Sequence, residues 1–133
     1  MFKNKIIALE YSEAKNIMKG AGSDIQVVEI DGKHIQSWED YCAEVEVKME
    51  FPTSCVNGNY DGYEDWMRDL GWLDKNGYIV VIYDFAEFMK DNLEIKNLVI
   101  RQFEDIILPW WQKDVELHSN FLKASSFNVY LVD

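Results

Sequence analysis

Proline is nearly missing, at 2 residues, and glycine is sparse, at 7 in a chain of 133. Linker-rich, low-complexity and collagen-like architectures are excluded by these counts, and no segment repeats at a fixed period. Only two histidines, His34 and His118, are present, so histidine-based acid–base or nucleophilic chemistry has few candidates, and both read as surface or packing residues. The two cysteines, Cys42 and Cys55, stand 13 positions apart, outside the C-x-x-C spacing and without a histidine pair to complete a zinc site. They read as reduced thiols. Nowhere do about 18 apolar residues run uninterrupted, and the apolar stretch within residues 1–10 is too short for a secretory signal. The expectation is a cytoplasmic protein that does not enter a membrane. Positive charge is also in short supply: 13 Lys and Arg face 24 Asp and Glu, a net charge of −11. Such a field repels polyanions, which argues against nucleic acid and anionic membranes as partners and in favour of a basic protein.

What the chain does have is apolar content, 48% with 14% aromatic. A chain of this size buries roughly two-thirds of its unfolded surface on folding. That supports one domain, residues 1–133, with a core that needs neither disulfide nor metal. Residues 5–9 are a short apolar run, 12–19 read as a helix, and 20–24 are turn-forming. Residues 25–30 are β-branched and read as a strand ending at Asp31-Gly32, a turn dipeptide in which Gly32 would take a positive φ. Ser37 with Asp40 approximates a capping box, and Trp38, Tyr41, Cys42, Val45 and Met49 follow at helical spacing, which predicts a helix over 38–49. Phe51-Pro52 ends it. Residues 53–58 are loop, and a second helix runs from Asn59 or Tyr60 to about Leu70, with Gly71 suited to the left-handed terminating position. After a turn at 74–77, residues 78–83 form a continuous apolar strand of the kind covered on both faces. A short helix over 85–90, a long one from about Ile95 that Pro109 must kink or restart, and a strand over 127–132 complete the chain. Trp38, Trp66 and Met67 read as core, Trp110-Trp111 as a buried helix bend, and Tyr60 and Tyr63 suit packing and interface equally. The alternation predicts an α/β fold: a small, mostly parallel sheet of three to four strands packed with about four or five helices.

The informative segment is Asn59-Tyr60-Asp61-Gly62-Tyr63-Glu64-Asp65-Trp66-Met67-Arg68-Asp69-Leu70. On a helix, Asp61, Glu64, Asp65 and Asp69 fall at i, i+3, i+4 and i+8, four carboxylates on one face. Arg68 is the only positive side chain among them, and Tyr63, Trp66, Met67 and Leu70 form the opposite, inward face. Like charges at this spacing cost a few tenths of a kcal/mol per pair. The helix dipole compensates Asp61 but not Asp69. A plain solvated surface accounts for such a face, and so does a site for a cationic ligand. A paired-carboxylate active site needs acids flanking a cleft, usually from different elements, which neighbours on one exposed helix do not provide. Carboxylates at i and i+4 can ligate a divalent cation, but no Asp-x-Asp-x-Asp-Gly loop supports calcium. Gly-rich phosphate loops, nucleophile elbows and Cys–His pairs are missing. The expectation is therefore a protein that is not an enzyme and holds no cofactor or metal, with an acidic hydrolase as the weakest alternative.

The order of features resembles the barstar family of ribonuclease inhibitors. The stretch Ile30-Asp31-Gly32-Lys33-His34-Ile35-Gln36-Ser37-Trp38-Glu39-Asp40 resembles the family's opening strand, turn and capped helix. Phe51-Pro52 enters a loop, and Asn59-x-Asp61-x-Tyr63-x-Asp65 is similar to the family's Asn-x-Asp-x-Leu-x-Asp at the start of its binding helix. Gly71-Trp72 and the two remaining strands follow in order. The likeness covers residues 27–133, and residues 1–26 are an N-terminal extension. The resemblance implies an immunity protein that occludes the active site of a ribonuclease toxin with an acidic loop and helix standing in for RNA phosphates. Its partner-binding residues would be Asn57, Gly58, Asn59, Tyr60, Asp61, Glu64, Asp65, Asp69 and Trp72. Asp61 and Asp65 would pair with the nuclease's cations, while Gly58 and Asn59 shape the loop. The chain departs from the family in having Cys55 and Val56 where the family's loop carries tyrosines, Glu64 in place of a tryptophan before the second aspartate, and a loop one residue longer. Lost aromatic anchors change partner selectivity, so the partner need not be barnase itself. The family's acidic contact in its last helix has no assigned counterpart, Glu104 and Asp105 both standing near. The alternative is an interaction module of this fold that binds a basic protein other than a ribonuclease.

Overall fold

The β-branched and apolar runs form four strands: β1 (Ile6–Leu9), β2 (Ile25–Asp31), β3 (Gly77–Tyr83) and β4 (Ser126–Val132). The computed structural model describes residues 2–133. The strands lie in the order β1-β4-β3-β2 and every neighbouring pair is parallel. β3 sits between β2 and β4 and is buried from Gly77 to Ile82. Both of its faces are covered, which is why its sequence does not alternate.

One face of the sheet carries α1 (Tyr11–Gly20), whose Ala14 packs on Ile79, Val81, Tyr130 and Val132. The opposite face, with Val28, Ile30, Val80, Ile82, Phe127 and Val129, carries the larger core. Onto it pack α2 (Trp38–Lys48), α3 (Tyr60–Met67) and α4 (Leu93–Arg101). α4 runs on through wide turns at Gln102–Ile107 and Trp110–Asp114 into α5 (Val115–His118). The α/β class, the parallel sheet and the helix complement match the sequence expectation.

Several local expectations are corrected. Gly32 is not in the left-handed region. It is needed because a Cβ there would lie 2.7 Å from the Asp84 carbonyl oxygen and closer still to that of Tyr83. Ser37 caps α2 as expected, its Oγ accepting from Asp40 N at 3.1 Å, but the Asp40 carboxylate accepts from Gln36 N rather than closing a box. α3 stops at Met67, and the left-handed residue after it is Leu70 (φ 55), not Gly71. Leu70 is wholly buried; its burial, about 1.5–3 kcal/mol, outweighs the roughly 1–2 kcal/mol that the conformation costs. Residues 85–90 make turns and no helix: Asp84 (φ 48) and Met89 (φ 49) are left-handed, and Met89 N donates to Ile35 O at 2.8 Å instead of continuing a helix. Pro109 (φ −62, ψ −37) keeps helical angles, so the chain neither stops nor restarts there. Its missing N–H is accommodated between the two wide turns.

Candidate protein-interaction site

The loop between α2 and α3 begins where α2 ends in a left-handed turn at Glu50 (φ 55), with Phe51 N donating to Glu46 O at 2.9 Å. It is held from beneath at Cys55. Cys55 N donates to the Glu46 carboxylate (3.0 Å), and Trp38 Nε1 donates to Cys55 O (3.1 Å). Beyond that anchor Asn57 and Gly58 are exposed, and Gly58 has a φ of 72, which only glycine adopts freely. Asn59 then caps α3, its Oδ1 accepting from Gly62 N at 2.9 Å.

α3 is fixed from within by Tyr63 and Met67, both wholly buried. Tyr63 and Tyr41 of α2 share a hydrogen bond of 2.5 Å between hydroxyls, with both rings wholly buried. Burial pushes both phenols upward, so the pair stays protonated across neutral pH. Tyr60 lies over Trp38, edge to face at 4.6 Å, and remains 37% exposed. Trp38 and Met67 are core, as expected, but Trp66 is only half-buried. Its Nε1 donates to Thr53 Oγ1 and its ring meets Trp72 edge-on.

The four carboxylates do not share one fate. Asp61 is exposed in the first turn of α3, where the helix dipole favours it. Asp65 is exposed and paired with Arg68 at 2.8 Å. Glu64 is half-buried, its Oε2 accepting from Gln102 Nε2 of the first wide turn at 3.0 Å. Asp69 lies past the end of the helix, so the expected row of four on one face is really three. Its Oδ1 accepts from Gly71 N at 3.1 Å, which makes it a turn residue. Trp72 likewise uses its Nε1 inwardly, donating to Met49 O at 2.8 Å. Asn57, Gly58, Asn59, Tyr60, Asp61 and Asp65 thus lie on the surface at and beyond the start of α3, while Glu64, Asp69 and Trp72 are engaged within the protein.

Two features escaped the sequence reading. Gln102 is buried in the first wide turn and reaches Glu64 across 38 positions, a link that no local pattern encodes. The Arg68 guanidinium, besides holding Asp65, stands 5.7 Å over the Trp110 ring, and Trp110 stacks on His118 at 5.6 Å. Trp111 is the buried member of its pair, donating to Met67 O, whereas Trp110 is half-buried. Both cysteines are free and buried. Among the described residues no group of three or more His, Cys, Asp and Glu is placed to hold a metal ion, and no helix is long and apolar enough to cross a membrane. A groove of about 660 Å³ lies between residues 2–6 and Leu108–Gln112 and is lined by one carboxylate, Glu104. It does not offer the acid pair that glycoside-type hydrolysis requires.

Comparison with known proteins adds one match. A family described as Barstar (barnase inhibitor) matches residues 25–121, more than half of the 133. The matched stretch takes in β2 through α5 and therefore the whole of this loop and helix. Neither the curated proteins nor the solved structures yield a match.

Proposed function

The chain belongs to the barstar family, and from that starting point we propose that it is a non-enzymatic inhibitor of a basic ribonuclease, acting in the cytoplasm as immunity against a ribonuclease toxin. The loop and α3 would enter the nuclease's active site, where Asp61 and Asp65 take the place of RNA phosphates among its Arg, Lys and His side chains. The observation that carries this is the exposure of those two carboxylates, side by side on a helix whose inner face is locked into the core. A net charge of −11 has the sign that steers a basic nuclease toward such a face. Asn57, Gly58, Asn59 and Tyr60 would form the neutral rim of the contact. Glu64 and Asp69 would support it from behind, and Trp72 would fix the end of α3.

A second reading, a module that binds a basic protein other than a ribonuclease, draws on the loop itself. Cys55 is buried and Val56 half-buried, so Tyr60 is the only aromatic that this segment, residues 53–60, presents. One experiment separates the two. RNA cleavage by a panel of small basic bacterial ribonucleases is titrated with the protein at physiological ionic strength, beside Asp61→Ala and Asp65→Ala. Stoichiometric inhibition of one nuclease, weakened by about 2 kcal/mol or more, or roughly 30-fold, in either variant, supports the inhibitor. If no member is inhibited and the variants match the parent, the inhibitor reading fails for that panel and the search moves to the protein's own co-purifying partners, among which a basic protein that is not a ribonuclease supports the second reading.

A further inference from the structure

We propose that Cys42 and Cys55 are an oxidisable thiol pair whose disulfide would staple the loop of residues 53–58 to α2. Cys42 stands on α2 midway between Trp38 and Glu46, one helical turn from each. Those two side chains are the ones that grip Cys55, Trp38 at its carbonyl oxygen (3.1 Å) and Glu46 at its N–H (3.0 Å). Side chains four apart line up along one helix face. A clamp made of the residues four before and four after Cys42 therefore centres Cys55 over Cys42. Both thiols are free, wholly buried and part of the same core cluster. The adjacent Cys55 thiol, followed by burial, holds the Cys42 thiol in its protonated form. A closed loop is consequently slow to react, and exchange has to begin with opening.

The loop is the element that opens, since Thr53, Ser54 and Asn57 around Cys55 are exposed while Cys42 is fixed in a helix. The oxidant is a low-molecular-weight disulfide, such as oxidised glutathione. The Cys55 thiol gives up its proton and attacks one sulfur of that disulfide. The small-molecule S–S bond breaks, and one thiolate leaves and takes up the proton. Cys42 then attacks Cys55 Sγ in the mixed disulfide, forming the internal S–S bond and expelling the second small thiol with the proton from Cys42. Two protein thiols are oxidised, one disulfide is reduced to two thiols, and no other reactant is consumed. The staple fixes position 55, four residues before the Asn59 cap. That this loop touches a partner rests on the proposed function, but the staple itself does not.

The test uses the full chain equilibrated with excess oxidised glutathione, quenched with acid, alkylated and mapped by mass spectrometry. The expected product is a monomer lighter by two hydrogens, with Cys42 and Cys55 in one cross-linked peptide pair and with amide exchange over residues 53–58 slowed by about tenfold relative to the reduced protein. Cys42→Ala should stop at a glutathione adduct on Cys55 and show no slowing. Thiols that both stay free, adducts without the internal bond, or an internal bond that leaves loop exchange unchanged would overturn the proposal. These outcomes are read on the protein alone, so a failure here is distinct from a failure to inhibit any nuclease.

Discussion

Replacing Tyr63 by Phe should destabilise the protein by more than the hydroxyl alone is worth, and replacing Tyr41 as well should restore most of the loss. The two hydroxyls lie 2.5 Å apart with both rings wholly buried, and among the described residues each is the other's hydrogen-bond partner. Tyr63→Phe keeps the ring and its packing but leaves the Tyr41 hydroxyl buried and unpaired, a cost of about 1–3 kcal/mol. Tyr41→Phe strands Tyr63 in the same way. The double variant removes both polar groups, and its loss falls to within about 1 kcal/mol of the parent, because an apolar pair of the same shape has nothing left to satisfy. The expected interaction energy from the cycle is therefore about 1–3 kcal/mol or more, with the double variant more stable than the sum of the singles predicts. Equilibrium urea unfolding followed by tryptophan fluorescence measures all four proteins. If the double variant loses as much as the two singles added together, the hydroxyls find other partners and the supposed lock between α2 and α3 does not exist.

Three further outcomes follow from the same geometry. Arg68→Ala frees Asp65 from an exposed internal pair worth about 0.5 kcal/mol, so inhibition of a susceptible nuclease should tighten by roughly twofold, with a faster association rate at low salt in stopped-flow; weaker inhibition would mean that Arg68 itself touches the partner. Gly32→Ala should cost about 2 kcal/mol or more, because the new methyl group meets the backbone carbonyls of Tyr83 and Asp84, and an unchanged thermal midpoint would refute that crowding. Stability should fall steeply above about pH 10, since burial holds the protons of Tyr41 and Tyr63 on in the folded state while the unfolded chain releases them. The contribution is intact below pH 10 and is lost as pH rises, at about 1.4 kcal/mol per pH unit for each phenol. Tyr78, raised to about 12 by burial and then by Asp69, adds to the same slope. Urea midpoints that stay flat from pH 9 to 11 would contradict it.

The strands and the first two connecting helices were legible because their signals are local. The β-branched run at 25–30, the apolar and aromatic residues of 127–132, the unbroken apolar run of β3 and the spacing from Trp38 to Met49 each report burial directly. What misled the local reading was tertiary context. A glycine at 71 is the better left-handed residue by intrinsic preference, yet the core takes Leu70 and bends the backbone to fit. Met89 gives its N–H to Ile35, more than fifty positions away, so residues 85–90 never propagate a helix. Asp69 follows the helical spacing of the acidic row but falls beyond the helix end. At the site, the exposure of Asp61 and Asp65 was readable from periodicity, whereas the attachments of Glu64 to Gln102 and of Arg68 to Trp110 come from a helix far along the chain. Composition and spacing hold no record of such pairings.

The strand order has a kinetic side. Three strands, β2, β3 and β4, come together through successive connections, each joining spatial neighbours. β1 instead pairs with β4, the last strand of the chain, while its own connection to β2 spans the sheet from one edge to the other, and the bond from Lys5 N to the Asn128 side chain bridges 123 positions. Closing so long a loop costs entropy before any contact repays it, so this edge is the natural last step of folding and the first to open. While it is open, β4 shows an unpaired backbone edge next to apolar Val129 and Leu131, the kind of surface onto which another chain can add a strand. The four residues of β1 replace the seven-residue edge of β4 by a shorter one of their own, which offers less backbone for such pairing, in a role separate from anything that α3 does.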